Sequence, residues 1–352
     1  MDVRLSEEQT ALRDSAAAVV DSLGPRTVAD LEDAGRTAQL DRAATESGWR
    51  ELRAPTEDGG PLASAVEVAV VAEELGRGLA DTAFVGPTLA AELRRLGGAP
   101  ACEGYETVVL SADLSELARA PGGVVAAGSV VPDAAGARRA LVLLPSADGD
   151  VVAALTLSGV GPGVDLTRSL GSWQGTGQVT TVPGVAGALG PDDRTRVHAL
   201  GLALSSADLV GTMRGAITLA TGYARDRRQY GAPIGSFQAV QHLLADAFVE
   251  MEGSHSITLH AAWAVDALAP AEALRAASAA KAYCARAARS VCETAIQVHG
   301  GIGNTWECLA HVFLRRALVS GQLLGGVGEN LDRVMAAHGV VAGPRGGAGG
   351  LR

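Results

Sequence analysis

Two stretches of the chain gather residue types able to hold an anion. In "GYARDRRQYGAPIGSFQAVQHLLAD", residues 222–246, Arg225, Arg227 and Arg228 crowd the C-terminus of a predicted helix that breaks at Gly231-Ala232-Pro233 and restarts near Ser236. Cations there meet the negative end of the helix dipole, so a solvated basic helix end is one reading. The other is an anion clamp, because a guanidinium presents a planar fork that fits a phosphate. Tyr230, beside them, could cover a ring or an apolar tail. In "AIQVHGGIGNTWE", residues 295–307, Gln297 ends a predicted helix and Gly300, Gly301 and Gly303 turn the chain. Glycines let a backbone approach a ligand closely, since no Cβ intervenes. Alone, Gly-Gly-x-Gly after a helix is more often a C-cap turn than a nucleotide loop, and His299 more often a cap than a base.

The elements that position these stretches follow from periodicity. Ser6-Glu7-Glu8-Gln9 has the form of a capping box, after which Leu5, Leu12, Ala16, Val19 and Val20 share one face. A loop at Ala54–Gly60 precedes "SAVEVAVVAEELGRGLA", apolar at helical spacing, and a further helix near Thr88–Leu96 ends in Gly97-Gly98. From about 105 the texture changes to short β-branched runs, "TVVLSAD", "GVVAAG", "RALVLLP", "DVVAALTL" and "GQVTTVP", punctuated as antiparallel strands would be. No G-x-G-x-x-G joins a strand to a helix there, so a dinucleotide-binding α/β unit is unsupported. Helices return over 192–226, 237–267, 270–298, 305–320 and 328–337. The expected fold is mainly α with a small β domain: an N-terminal helical domain over 1–103, a reduced middle β domain over 104–190, a four-helix domain over 191–338 and a flexible glycine-rich tail over 339–352.

Bulk properties narrow the function classes. With 352 residues the chain is long enough for two or three domains. It is 47% hydrophobic and only 3% aromatic, which favours helices packed through small aliphatic faces. A net charge of −10 argues against a nucleic-acid footprint. The acidic start Met1-Asp2-Val3-Arg4-Leu5-Ser6-Glu7-Glu8 has no apolar leader, and no uncharged apolar run reaches the roughly 18 residues of a membrane span. A cytoplasmic location without membrane contact is expected. Cys102, Cys284, Cys292 and Cys308 have no C-x-x-C spacing, so free thiols are expected rather than a metal site or disulfides.

In this order and about 70 residues apart, the two anion-binding stretches resemble the C-terminal domain of the acyl-CoA dehydrogenase family. "RDRRQYGAPIGSFQAVQH" is similar to the family's Arg-x-x-Phe/Tyr-Gly…Phe-Gln segment, and "QVHGGIGNTWE" to its Gln-x-x-Gly-Gly-x-Gly segment in the style of shorter actinobacterial members. "LSEEQTALRDSAAAVV", "GWREL" and "EVAVVAEELGRGLA" resemble the family's first domain. The resemblance implies an α domain, a β-barrel-like domain and a four-helix domain, FAD as cofactor, and an oligomer whose flavins lie between subunits. It assigns Arg227, Gln229, Tyr230, Gln238, Gln297, Gly300 and Gly301 to the set that holds the pyrophosphate and adenine of a neighbour's FAD.

Family chemistry is α,β-desaturation of an acyl-CoA thioester, with a glutamate removing the α-proton as hydride leaves for the flavin. That glutamate has two known positions. The first, in a Tyr-Glu-Gly-Thr-like turn after the last long helix, falls within a residue or two of Gly325; the second, about 22 residues before Tyr223, falls on Gly201. Both are glycine. Asp208 stands about 10.5 Å along the helix from Gly201 at 1.5 Å per residue, beyond the roughly 3 Å of proton transfer. Glu329 is a weak substitute that suits a helix N-terminus better, and Asp332 is weaker still. The family's flavin-ring segments, Thr-Glu-x-x-x-Gly-Ser-Asp-like and Trp-Ile-Thr/Ser-Asn-like, have no counterpart; Trp173 falls in "LGSWQGTGQ". The expectation is therefore a subunit without its own catalytic base, lending half of a FAD site to a paralogous chain that bears the base. The alternatives are a homo-oligomeric FAD enzyme with a displaced carboxylate, Glu329 or Asp208, and a non-catalytic scaffold of the same fold.

Overall fold

The computed structural model describes residues 4–102, 104–157, 163–173 and 177–340. The glycine-rich tail expected over 339–352 lies outside them from residue 341 on. Ser6 and Gln9 do form a reciprocal capping box at the head of α1 (Glu7–Leu23), which buries Ala16 and Val20. α2 (Ala34–Glu46) and α3 (Ala65–Arg77) follow, the latter capped by Ser64 and Glu67, and then α4 (Val85–Leu96).

The middle of the chain holds β1 (Thr107–Val108), β2 (Val124–Val125), β3 (Val130–Pro132), β4 (Arg139–Ser146), β5 (Gly149–Thr156), β6 (Leu170–Ser172) and β7 (Gly177–Thr181). Five of these form a sheet in the order β1-β4-β5-β7-β2, and β3 pairs with β6. One pairing departs from the antiparallel expectation: β1 runs parallel to β4, Thr107 opposite Ala140. Parallel neighbours need a long crossover, and the segment carrying β2 and β3 between them supplies it.

The C-terminal helices are α5 (Pro191–Asp226), α6 (Gln238–Ala267), α7 (Pro270–His299), α8 (Ala310–Gln322) and α9 (Val327–Ala337). A two-stranded ribbon, β8 (Arg228–Gln229) with β9 (Ala232–Pro233), connects α5 to α6. α8 starts at Ala310 rather than near 305, because residues 305–308 close a turn in which Cys308 N–H donates to the Thr305 carbonyl at 3.2 Å. Low aromatic content is met by close backbone packing. α5 lies against α3 with Gly211 over the Glu73 carbonyl and Gly76 over the Asp208 carbonyl, where a Cβ would overlap either oxygen. On its other side α5 packs along α7 through buried Ala273, Ala277, Ala280, Ala287 and Ala288. Among the described residues no helix is long and apolar enough to cross a membrane.

All three layers meet at the fully buried Asp208 of α5. Arg168, from the segment before β6, reaches Asp208 at 2.7 Å, and Arg316 of α8 reaches it at 2.7 and 3.0 Å. Ser320 donates to its second oxygen at 2.6 Å, and Arg316 also donates to the Ala80 carbonyl beyond α3 at 3.0 Å. Burial opposes the carboxylate, but the two guanidiniums and Ser320 hold its pKa below the ordinary aspartate value. Asp208 is thus structural, not a displaced base. Asp208→Asn leaves two buried guanidiniums facing a neutral amide and is expected to cost about 3–5 kcal/mol, read as a fall in the urea unfolding midpoint. A loss under about 1 kcal/mol would show that the layers are joined elsewhere.

Candidate active site and cofactor half-site

α5 and α7 end side by side, and an aromatic contact ties their C-termini together. The Tyr223 ring, one turn before Arg227, stacks on His299 with centroids 4.5 Å apart. His299 is fixed by a 2.7 Å hydrogen bond from Nδ1–H to the Ala295 carbonyl. The structure thereby brings the arginine stretch and the glycine turn to one end of the helical layer. Arg227 caps α5 through its N–H to the Tyr223 carbonyl at 2.9 Å. Its side chain is exposed and makes no hydrogen bond or ion pair among the described residues. Gln229 lies in the ribbon. Tyr230, at φ +51, occupies its turn with Gly231 and is 97% exposed, edge-on to Phe237 at 6.4 Å. Gln238 opens α6 and Gln297 stands on the last turn of α7, both exposed.

Gly300 caps α7 at φ +65, ψ −143, a conformation essentially reserved for glycine, and a Cβ on Gly300 or Gly301 would meet nothing within 4 Å. A guanidinium, three glutamine amides and an unobstructed glycine backbone over open space form a set that fits a pyrophosphate. Every member faces outward, as half of a shared site would.

The expected base positions lie elsewhere, at the inner end of α5. Leu324, at φ +62, turns its side chain onto Gly201: a Cβ built on Gly201 would overlap Leu324 Cδ1 and touch both Leu89 methyls at 3.4 Å. The residue facing Gly201 is therefore Leu324 and not Gly325, whose added Cβ would instead meet Arg333 Nη1 at 2.8 Å. Gly325 at φ +99 makes the turn, and its N–H donates to the Leu114 carbonyl at 3.0 Å. Arg333 donates to the Leu324 carbonyl and to the Ser115 carbonyl, both at 2.9 Å. Loop 111–116 of the β layer is thus clasped directly against the Leu-Leu-Gly-Gly turn. Trp173 sits in the β layer, its backbone N–H bonded to the Ser129 carbonyl at 2.8 Å and its side chain packed on that layer's core. Glu329 caps α9, accepting from Gly326 N–H at 3.1 Å, and Asp332 lies on the same helix.

One residue at this locus escaped the sequence reading. His198 stands three residues before Gly201 on α5, a helical spacing that could have flagged it. Its ring hydrogen-bonds the Leu324 backbone, while Nε2 is enclosed with no partner among the described residues. Burial, then the Arg333 and Lys281 charges, push its pKa down to about 3. Such an imidazole is neutral but binds a proton too weakly to serve as a base near neutral pH.

Two outcomes follow from this packing. Gly201→Ala should cost about 1–3 kcal/mol by overpacking. Combined with Leu324→Ala it should recover at least about 1 kcal/mol relative to the sum of the single changes in urea unfolding; additive losses would mean the side chains do not meet. For His198, the native ring stays neutral to about pH 3 whereas the unfolded ring protonates near its ordinary 6.5. Between those values the unfolded chain binds more protons, so stability falls as pH falls, by at most about 1.4 kcal/mol per pH unit. His198→Gln should flatten that slope between pH 6 and 4; an unchanged slope would assign it to other groups.

Comparison with known proteins agrees with this architecture. Residues 6–100 match the model of the acyl-CoA dehydrogenase N-terminal domain, and residues 202–339 that of the acyl-CoA dehydrogenase C-terminal domain. The chain is 32% identical over 338 residues to acyl-CoA dehydrogenase IpdE2 of Mycolicibacterium smegmatis, covering 94% of this chain and 99% of that protein. Its fold is similar to a chain of the ChsE4–ChsE5 complex from Mycobacterium tuberculosis, with a TM-score of 0.81 at 23% identity over 97% and 100% of the two chains. It is similar also to a chain of the Tcur3481–Tcur3483 steroid ACAD G363A variant, with a TM-score of 0.76 at 23% identity over 95% and 98%.

Proposed function

This chain belongs to the acyl-CoA dehydrogenase family of FAD-dependent oxidoreductases, and we propose that it is the subunit without a catalytic base in a heteromeric member acting on a bulky CoA thioester. The observation that carries this reading is the contact of Leu324 with Gly201. Of the two places where a family glutamate is expected, Gly201 is covered by Leu324 and Leu89 and Gly325 by Arg333, Glu329 and Asn330, and the β-layer loop closes on the same turn. Glu329 and Asp208, the carboxylates that could have moved into the role, are engaged in a helix cap and a buried ion pair.

In this arrangement the chain's own residues act on its partner's behalf. Arg227 would supply the charge and fork for the FAD pyrophosphate. The Gly300–Gly301 backbone would approach it closely, Gln229, Gln238 and Gln297 would orient it, and Tyr230 would cover an apolar or ring portion. FAD, when bound, supplies the acceptor for the substrate's β-hydride. Leu324 and Leu89 keep water out of the closed locus on this side. A family chain bearing the missing glutamate is the implied partner. ChsE4–ChsE5 is a complex of two named components and the Tcur3481–Tcur3483 protein is described as a steroid ACAD, which supports both the pairing and a bulky acyl group.

The test is expression of this chain alone and with a glutamate-bearing family member encoded beside it. Flavin absorbance and desaturation of a steroid side-chain CoA thioester are expected only from the pair. Arg227→Ala in this chain should weaken FAD binding to the pair by about 10–100-fold, the value of one hydrogen-bonded charge. A yellow, active protein from this chain alone would overturn the proposal. A pair that forms but binds no flavin would favour a scaffold.

A further inference from the structure

Beside the outward-facing half-site lies a second constellation that the dehydrogenase reading does not use. Arg26, Tyr223, His299, Glu307, Cys308 and Leu309 are among the residues lining an open cleft of about 450 Å³ between the end of α5 and the turn before α8. Cys308 is 9% exposed and lines this cleft, whereas Cys284 and Cys292 are 0% exposed. Three features surround its sulfur. The His299 imidazole hydrogen-bonds it, and because Nδ1 is committed to Ala295, the nitrogen turned to Cys308 is Nε2. The stack on Tyr223 fixes the ring plane. The first N–H of α8, from Ala310, donates to Sγ at 3.5 Å, so a helix N-terminus points at the sulfur.

A thiol with a histidine partner and a helix N-terminus has its negative form favoured, and the thiolate is the nucleophile. Burial opposes the charge on Cys308, yet the His299 hydrogen bond and the Ala310 N–H bring its pKa below the ordinary cysteine value, while that of His299 is raised. The other ionisable groups facing the cleft are Arg26 before the first 3-10 turn, Tyr223 on α5 and Glu307 beside the cysteine. His311 and Arg315 stand further along α8, around Trp306.

We propose that Cys308 and His299 act together, reacting as thiolate and imidazolium, as a modification site for small disulfides entering this cleft, with Arg26 favouring disulfides that carry carboxylates. The Cys308 thiolate attacks one sulfur of R–S–S–R; a Cys308–S–R bond forms as the R–S–S–R bond breaks. The departing RS⁻ takes the proton held on His299 Nε2 and leaves as RSH. Cys308 is oxidised and the departing half reduced by the same electron pair, so no further reagent is needed. The site rests on residues of this chain alone, and the reaction needs no flavin.

Glutathione disulfide serves as the probe, on the full chain carrying Cys102→Ser so that the more exposed Cys102 thiol is absent. Intact mass and peptide mapping should find one glutathione adduct, on Cys308, and Cys308→Ser should abolish it. The rate plotted against pH should reach half its maximum below the ordinary thiol value of about 8.5, and His299→Asn should move that midpoint up towards it. The wild-type midpoint alone decides the case if His299→Asn proves poorly folded. Absence of an adduct, an adduct only on Cys284 or Cys292, or a midpoint at the ordinary value would each overturn the proposal.

Discussion

A single buried carboxylate sets the arrangement of everything around it. Asp208 stands where α3, α5, α8 and the segment before β6 converge, and taking it out of water is tolerable only because Arg168, Arg316 and Ser320 saturate both oxygens. The excess positive charge is balanced nearby. Asp165 and Asp133 lie close enough to Arg168 to favour its charged form, and Asp133 also accepts the Gly86 N–H at the head of α4 at 2.9 Å. Each partner belongs to a different stretch of chain, so satisfying one network fixes the β layer, the first helices and the last helices together. A hydrophobic contact of the same area would tolerate sliding; a two-guanidinium site with fixed forks does not.

That fixation reaches the vacated locus. Arg316 and Ser320 anchor α8, and the Leu-Leu-Gly-Gly turn begins one residue beyond that helix's end. With α8 held, Leu324 has one place to go, and the absence of a side chain on Gly201 makes room for it. A left-handed leucine followed by a glycine at φ +99 is costly backbone. It persists because Arg333 and Asn330 hold the carbonyls of Leu324, Gly325 and Gly326 from the helix that follows. The turn is therefore a built structure with its own supporting bonds, not a slack loop.

Helix positions, their caps and the two outward-facing motifs were legible in the sequence because each rests on local physics: period 3.6, a Ser-x-x-Gln or Ser-x-x-Glu box, glycine where no Cβ is tolerated. What was not legible depends on long-range pairing. The parallel β1–β4 register turns on a crossover whose geometry no short window encodes. Asp208 looked like a stray carboxylate on a helix, because Arg168 and Arg316 lie far from it in the chain. That Leu324, within the residue or two of Gly325 allowed by the motif, is the residue facing Gly201 has the same origin: alignment to a motif counts residues, whereas the direction of a side chain is set by φ. His198 was missed since its neighbours Leu324 and Arg333 arrive from the other end of the domain.

The two ends of α5 carry opposite treatments of the same family machinery. At the inner end the Gly325 and Gly326 N–H groups and the carbonyls of Leu324, Gly325 and Gly326 are bonded, and Leu324 and Leu89 fill the space over Gly201, so a ligand there would have to displace packed side chains. At the outer end the Arg227 and Gln297 side chains are exposed, and the Gly300–Gly301 backbone is open where a Cβ would stand. A chain that had simply lost its cofactor would be under no constraint to keep Gly300 in a backbone conformation available to glycine alone, nor an arginine fork beside it. Closure on one side with retention on the other is the combination expected where the ligand is held between two chains and only one of them performs the proton transfer.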